Sequence, residues 1–237
     1  MLDAHIVKVR PAFVVDVTIR LDRGERLGLF GASGAGKSTV LSCLAGLETP
    51  DAGEIRFDGA VLFPPNVPLY RRAIAYLTQS DSLFPHLSVA ENVGFGLRNH
   101  ERQAASRWLE ELKQRLGLGP IWSQRARLIS GGQARRVALA RMLARRPPLV
   151  LLDEPFMALD RPTMSELIDA LLEWHRSLGF TLIAVDHRAE ILERLCTRAS
   201  VIESGRIVQE GSWPAIAANP ATPLLARLLA PLQAKPL

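Results

Sequence analysis

The sequence predicts an α/β protein with a mostly parallel sheet built around a phosphate-binding loop, and three observations carry that prediction. The first is Gly31-Ala-Ser-Gly-Ala-Gly36-Lys37-Ser38, which follows the short strand-like run Leu27-Gly-Leu-Phe30 and precedes a helical apolar pattern. A glycine-rich loop between a strand and a helix turns successive backbone N–H groups toward one point, beside the positive end of the helix. The second is Pro148-Leu-Val-Leu-Leu152, apolar throughout as a strand buried on both faces must be, and stopped by Asp153-Glu154-Pro155. The third is the alternation of strand-like and helix-like segments along most of the chain.

Taken in order, residues 5–10 and 13–20 read as two short strands, followed by the strand before the loop and a helix over 37–46. Residues 54–57 form a further strand closed by Asp58-Gly59, a turn pair. Residues 73–77 are a strand ending near Gln79, and from Val89 to Leu118 the pattern turns helical, with Gly117 and Pro120 as breakers. The strand before Asp153 leads to a helix over 163–178 and a strand over 180–185 that runs to His187. Residues 201–208 make a hairpin around Ser204-Gly205. The tail, 219–237, has prolines at 220, 223, 231 and 236 around Leu224-Leu-Ala-Arg-Leu-Leu229, a helix of two turns at most.

The chemistry carried by the loop is that of a nucleoside triphosphate site. Lys37 supplies a cation for the β and γ phosphates, and Ser38 a hydroxyl for Mg²⁺. In a parallel sheet, ligands gather at the carboxyl ends of the strands, so Asp153 and Glu154 belong at the same edge as the loop. Asp153 suits Mg²⁺ through water, and Glu154 suits an attacking water. The competing reading of each motif alone, a glycine turn capping a helix or an ordinary acidic strand end, weakens when both occur in one chain.

Composition bounds the rest. With 237 residues and 48% hydrophobic content, the chain suits one large α/β domain or one with a smaller subdomain. No apolar stretch reaches the roughly 18 to 20 residues needed to span a bilayer, and residues 1–10 lack the apolar centre of a signal peptide, so a soluble, cytoplasmic protein is expected. Cys43 and Cys196, each placed within a helix, have neither metal nor redox spacing and read as packed, reduced thiols. The net charge of +5 comes from arginine, since the lysines are Lys8, Lys37, Lys113 and Lys235. Arginines such as Arg135, Arg136, Arg141, Arg145 and Arg146 are scattered over helices without interleaved aromatics, which argues against a nucleic-acid surface and leaves phosphates or acidic headgroups as partners.

Between the loop and Asp153 lies Ile129-Ser130-Gly131-Gly132-Gln133, opening a helix with Ser130 as its N-cap. This run resembles the signature of the ATP-binding cassette (ABC) family, usually Leu-Ser-Gly-Gly-Gln. Gln79 matches that family's glutamine loop, Met157-Ala-Leu-Asp160 its D-loop and His187 its switch histidine. The resemblance covers about residues 1–215. It implies an N-terminal antiparallel β-subdomain, an inserted helical subdomain over about 88–128, and a cassette over 1–218 followed by a tail over 219–237. It also implies that Gly31, Ser33, Gly34, Ala35, Gly36, Lys37, Ser38 and Thr39 hold ATP, that Ser38, Gln79 and Asp153 serve Mg²⁺, and that Glu154 and His187 act in hydrolysis. Ser130 and Gly132 are implied to meet the nucleotide of the opposite protomer of a homodimer, and Gly131, Gln133 and Asp160 to be nucleotide-binding as well.

Several positions depart from the family's pattern. Ile129 replaces leucine, Met157 stands where serine is usual, Thr78 where an aromatic is common before Gln79, and Asp186 where a hydroxyl residue is common before His187. For the aromatic that stacks on adenine, the sequence offers only Phe13. The run Leu83-Phe84-Pro85-His86-Leu87-Ser-Val resembles importer ATPases for oxyanions such as molybdate, or for thiamine. A membrane permease is then the implied partner, with Leu83, Phe84, Leu87 and Val89 lining a cleft for one of its helices, and a substrate-binding protein beside it. The rival readings are an ATPase of an exporter or lipoprotein-release complex, and a regulatory module that binds nucleotide without hydrolysis.

Overall fold

The computed structural model describes residues 1–80, 83–157 and 159–233; Ala158 of the D-loop run and residues 234–237 of the tail lie outside them. The chain forms two compact units. One comprises Met1–Tyr76, Pro148–Asp153 and Gly179–Leu237, and the other Leu77–Pro147 and Glu154–Leu178.

In the first unit the strands are β1 (Leu2–Val9), β2 (Val14–Leu21), β3 (Arg26–Phe30), β4 (Ala52–Phe57), β5 (Ala60–Phe63), β6 (Ile74–Leu77), β7 (Leu149–Asp153), β8 (Thr181–Val185), β9 (Arg198–Glu203) and β10 (Arg206–Gly211). They lie in one sheet in the order β5-β4-β1-β2-β10-β9-β3-β8-β7-β6. The centre is parallel, β3 pairing with both β8 and β9, and β7 with β8. β7 and β8 are buried at every residue, as strands covered on both faces must be. The N-terminal side is antiparallel, β1 pairing with β2 and β4, and β4 with β5. There β2 alternates, with Val15, Val17, Ile19 and Leu21 inward. Asp58 (φ 50) and Gly59 (φ 84) make the expected tight turn, whose φ values suit a hairpin, and β5 is the strand it returns, which has no counterpart in the sequence prediction.

Helix α1 (Lys37–Ala45) packs on β1, β2 and β7. Its C-terminal carbonyls are held by the buried Arg72, whose Nη1 donates to Cys43 O (3.0 Å) and Leu44 O (2.7 Å). Cys196 is not in a helix: it follows the last residue of the helix Ala189–Leu195 as an extended C-cap. The tail helix is also longer than predicted, running Pro223–Gln233 over three turns. Pro223 sits at its first turn, where a missing N–H costs nothing, and Thr222 accepts from Leu225 N (3.1 Å) as its cap. Leu225 and Leu229 bring the apolar stripe fully inside.

The second unit is helical. Its elements, numbered on from α1, are α2 (Val89–Val93), α3 (Asn99–Ala104), α4 (Ser106–Arg115), α5 (Gly131–Leu143) and α6 (Arg161–Leu178). Trp108 and Trp174 meet edge to face at 5.7 Å, and their indole N–H groups donate to Leu143 O and Glu111 Oε1. The fully buried Asn92 fastens the segment before α2, its Oδ1 accepting from Phe84 N (2.9 Å) and its Nδ2 donating to Phe84 O and Ser88 O. Val89 is fully buried, so it belongs to the core and lines no open cleft. Phe84 is half-buried, stacked on the exposed Phe95 at 4.1 Å with the Arg141 guanidinium 5.6 Å from its ring. Arg135, one of the arginines scattered over helices, is 3% exposed and belongs to the interior.

Candidate functional site

The phosphate loop turns through glycines that only glycine can supply. Gly34 (φ 78) has no heavy atom within 4 Å of where a Cβ would sit, so its backbone lies open. Gly36 (φ 105) starts α1 in the left-handed region, and a Cβ there would meet Val15 Cγ2 at 2.8 Å. Gly31 (φ 146) lets the loop pass Ile202 O, which a Cβ would approach to 2.2 Å. Ser33 and Ser38 are exposed, Thr39 is half-buried, and Ala35 is buried with its carbonyl accepting from Gly205 N (3.1 Å). Gly205, at the β9–β10 turn, thereby fixes the loop from behind.

Lys37 is 8% exposed, and its ammonium donates to Gly31 O and Ala32 O, both at 2.8 Å. It lies folded over its own loop. Beside it opens a cleft of about 440 Å³ lined by Phe13, Gly34, Gly36, Lys37, Ser38 and Thr39, with Arg10, Pro11 and Ala12 on the facing side. Phe13 precedes β2 and packs partly against the core, so it is both a cleft wall and a core neighbour. Arg10 donates to Thr39 Oγ1 (3.0 Å) and pairs with Glu48, placing a guanidinium at the cleft that sequence reading overlooked.

At the end of β7, Asp153 is 4% exposed and accepts from Tyr76 Oη at 3.1 Å. Burial, with the Asp153 charge second, pushes the Tyr76 phenol well above its ordinary value, so it is a fixed donor. At the end of β8, Asp186 is fully buried and accepts from the Arg188 backbone N–H (3.0 Å), Nε (3.1 Å) and Nη2 (3.2 Å). His187 stands between them with an exposed ring, its Nδ1 3.6 Å from Asp186 Oδ1. The acidic departure before His187 is therefore an anchor for the turn that carries it.

In the second unit, Ser130 caps α5 in a reciprocal box: Gln133 N donates to Ser130 Oγ, and Ser130 N donates to Gln133 Oε1 (2.9 Å). Ser130 and Gly131 are exposed and Gly132 is half-buried, leaving the helix opening accessible. Gln79 is exposed and its Nε2 lies 3.5 Å from Glu154 Oε2, the outer limit of a hydrogen bond. Glu154 has φ 47, a left-handed backbone uncommon for a residue with a Cβ. Asp160 is an N-cap, accepting from Thr163 N at 2.8 Å, and that bond holds its carboxyl below the usual range. Among the described residues no cluster of three or more His, Cys, Asp or Glu is placed to hold a metal ion.

Loop, sheet order and capped signature helix together define a nucleotide-binding cassette built on a P-loop. The sequence matches the ABC transporter family over residues 14–157, and the chain belongs to that family. It is 38% identical over 216 residues to a molybdate/tungstate import ATP-binding protein of Thermococcus kodakarensis, covering 90% of this chain and 65% of that relative, just under two thirds of its length. It is 38% identical over 227 residues to a thiamine import ATP-binding protein of Jannaschia sp., covering 94% and 98%. Among solved structures it resembles the dimeric post-hydrolysis state of the ATP-binding cassette MJ0796 bound to ADP and Pi, with TM-score 0.76 and 25% identity over 90% of this chain and 98% of that one. A second dimeric structure of MJ0796, a bacterial ABC transporter cassette, gives TM-score 0.79 and 27% identity over the same shares.

Proposed function

We propose that this chain is the ATP-hydrolysing subunit of a solute importer, working as a homodimer on a separate membrane permease at the inner face of the cell membrane. The observation that carries the proposal is the phosphate loop, whose open Gly34 backbone, left-handed Gly36 and adjacent Lys37 ammonium fit a triphosphate, in a chain whose relatives are named import ATP-binding proteins. No described helix is long and apolar enough to cross a membrane.

The loop amides from Gly31 to Thr39 cradle the phosphates, and Lys37 exchanges its two carbonyl partners for phosphate oxygens. Phe13 supports the adenine. Glu154 orients the attacking water and accepts its proton, while His187 donates to the γ-phosphate. Mg²⁺ bound with the nucleotide would neutralise charge on the phosphates, and Ser38, Gln79 and Asp153 offer the oxygen donors a hard cation takes. Ser130, Gly131, Gly132 and Gln133, at the accessible opening of α5, serve the nucleotide of the partner protomer, and Asp160 holds the start of α6 beside that surface. Phe84 and Phe95 present the apolar surface to a permease helix, consistent with the helical insertion over about 88–128 being the docking part of the cassette.

The test is Glu154→Gln in the purified chain. The amide keeps the shape and loses the acceptor charge, so nucleotide should bind with near wild-type affinity while turnover stops, and light scattering with Mg-ATP should show a dimer. A variant that stays monomeric and hydrolyses normally would defeat the proposal.

A further inference from the structure

Arg135 is buried in α5, two residues past Gln133, and its guanidinium spreads over three backbone carbonyls on two other segments. Nη1 donates to Thr78 O (2.7 Å), Nη2 to Glu154 O (2.6 Å) and Nε to Pro155 O (2.9 Å). Thr78 O belongs to the peptide leading into Gln79, and the other two flank Glu154 on its C-terminal side. One planar, rigid fork thus ties together the backbone from which both side chains hang. The Gln79 to Glu154 side-chain bond is long at 3.5 Å, so the fork is the tighter of the two links. Its second anchor is the carbonyl of a residue in the left-handed region, a conformation that persists only when the surroundings over-determine it.

We infer that Arg135 is a positioning residue for hydrolysis, holding the strained Glu154 backbone and the Gln79 peptide in the register that aims the Glu154 carboxylate at the attacking water. This rests on the proposed role of Glu154. Misplacing a catalytic group by about 1 Å costs on the order of 100-fold in rate, so the loss belongs in kcat and not in nucleotide affinity. Lysine reaches at most part of the set with a single ammonium, and glutamine offers two amide N–H groups that cannot span three diverging carbonyls.

The experiment compares Arg135→Lys and Arg135→Gln with wild type and Glu154→Gln, all as the full chain, by steady-state ATPase, equilibrium binding of a fluorescent ATP analogue and thermal unfolding. The expected result is a kcat roughly 10- to 100-fold down in Arg135→Gln, with a smaller fall in Arg135→Lys and binding within about threefold of wild type in both. Loss of binding and of thermal stability in proportion to kcat in both variants would make Arg135 merely structural and overturn the inference. So would a folded Arg135→Gln with kcat within about twofold of wild type while Glu154→Gln is inactive. Undiminished turnover in Glu154→Gln would instead sink the underlying role of Glu154, which separates the two failures.

Discussion

Among the described residues, four other than glycine have positive φ, and they are not alike. Asp58 and Ser204 lie in hairpin turns that call for such a backbone, each followed by a glycine. Glu154 follows the last residue of a buried strand and opens a turn in which Met157 N donates to its carbonyl at 3.3 Å, and holding a residue with a Cβ in that left-handed backbone costs about 1–3 kcal/mol. Burial matters as much for the two thiols. Desolvation raises Cys43 to about 11 and Cys196 to about 12 from an ordinary value of 9.0. With the folded value above the unfolded one, the native state keeps a proton that the unfolded chain gives up, so the stabilising effect is complete below about pH 9 and is lost as pH rises toward 11 and 12. Unfolding free energy measured in urea should fall with pH across that window by up to about 1.4 kcal/mol per pH unit for each thiol, and Cys43→Ala should flatten the slope between pH 9 and 11. An unchanged slope in the variant would show that the thiol is not the group responsible. The native thiols should also stay silent toward a disulfide reagent at pH 8.

At the scale of elements, the tail helix Pro223–Gln233 shows how small a feature decides packing. It lies against the helices Ala189–Leu195 and Trp213–Ala218. Leu225 and Leu229, one turn apart, are both fully buried. Leu229→Ala should cost about 2–5 kcal/mol in chemical denaturation while leaving nucleotide binding intact. A loss under about 0.5 kcal/mol would mean that the helix is a surface appendage. The proline-dense sequence pointed to a shorter helix because a proline is a breaker in general; here Pro223 falls in the first turn, capped by Thr222, and the helix runs on through Pro231 near its end. The same dependence on context separates what was legible from what was not. Phosphate loop, buried β7, the turn at Asp58-Gly59 and the cap at Ser130 are written in local residue patterns, and the first glance at spacing finds them. Arg135, Tyr76 and Gly205 act through partners 20 to 170 positions away in the chain, such as Pro155, Asp153 and Ala35. No window on the sequence contains both ends of those bonds.

At the scale of the whole molecule, the two halves of the proposed chemistry come from distant parts of the chain, and the signature opening at Ser130 has no nucleotide of its own in this reading. A homodimer resolves that by making each site from the loop of one protomer and the α5 opening of the other, a shared-surface arrangement that twofold symmetry duplicates. The consequence is a complementation test that no single-protomer site satisfies. Lys37→Ala removes the cation from the loop, and Ser130→Arg fills the α5 opening with a side chain that also breaks its cap; each homodimer then carries two damaged sites and should be inactive. In a mixed dimer both defects fall in one site and the other is built from two intact surfaces. Equal mixing makes half the dimers mixed, so about a quarter of wild-type turnover should return if the sites fire independently. Titrating one variant into the other should trace a maximum at equal amounts, since the mixed species peaks there. If size-exclusion chromatography with differently tagged chains shows that mixed dimers form and turnover stays at the homodimer level throughout, then either each site lies within one protomer or neither site works alone. Nucleotide occupancy of the mixed dimer separates these: one bound ATP per dimer retained after gel filtration identifies a complete shared site that is waiting on its damaged neighbour.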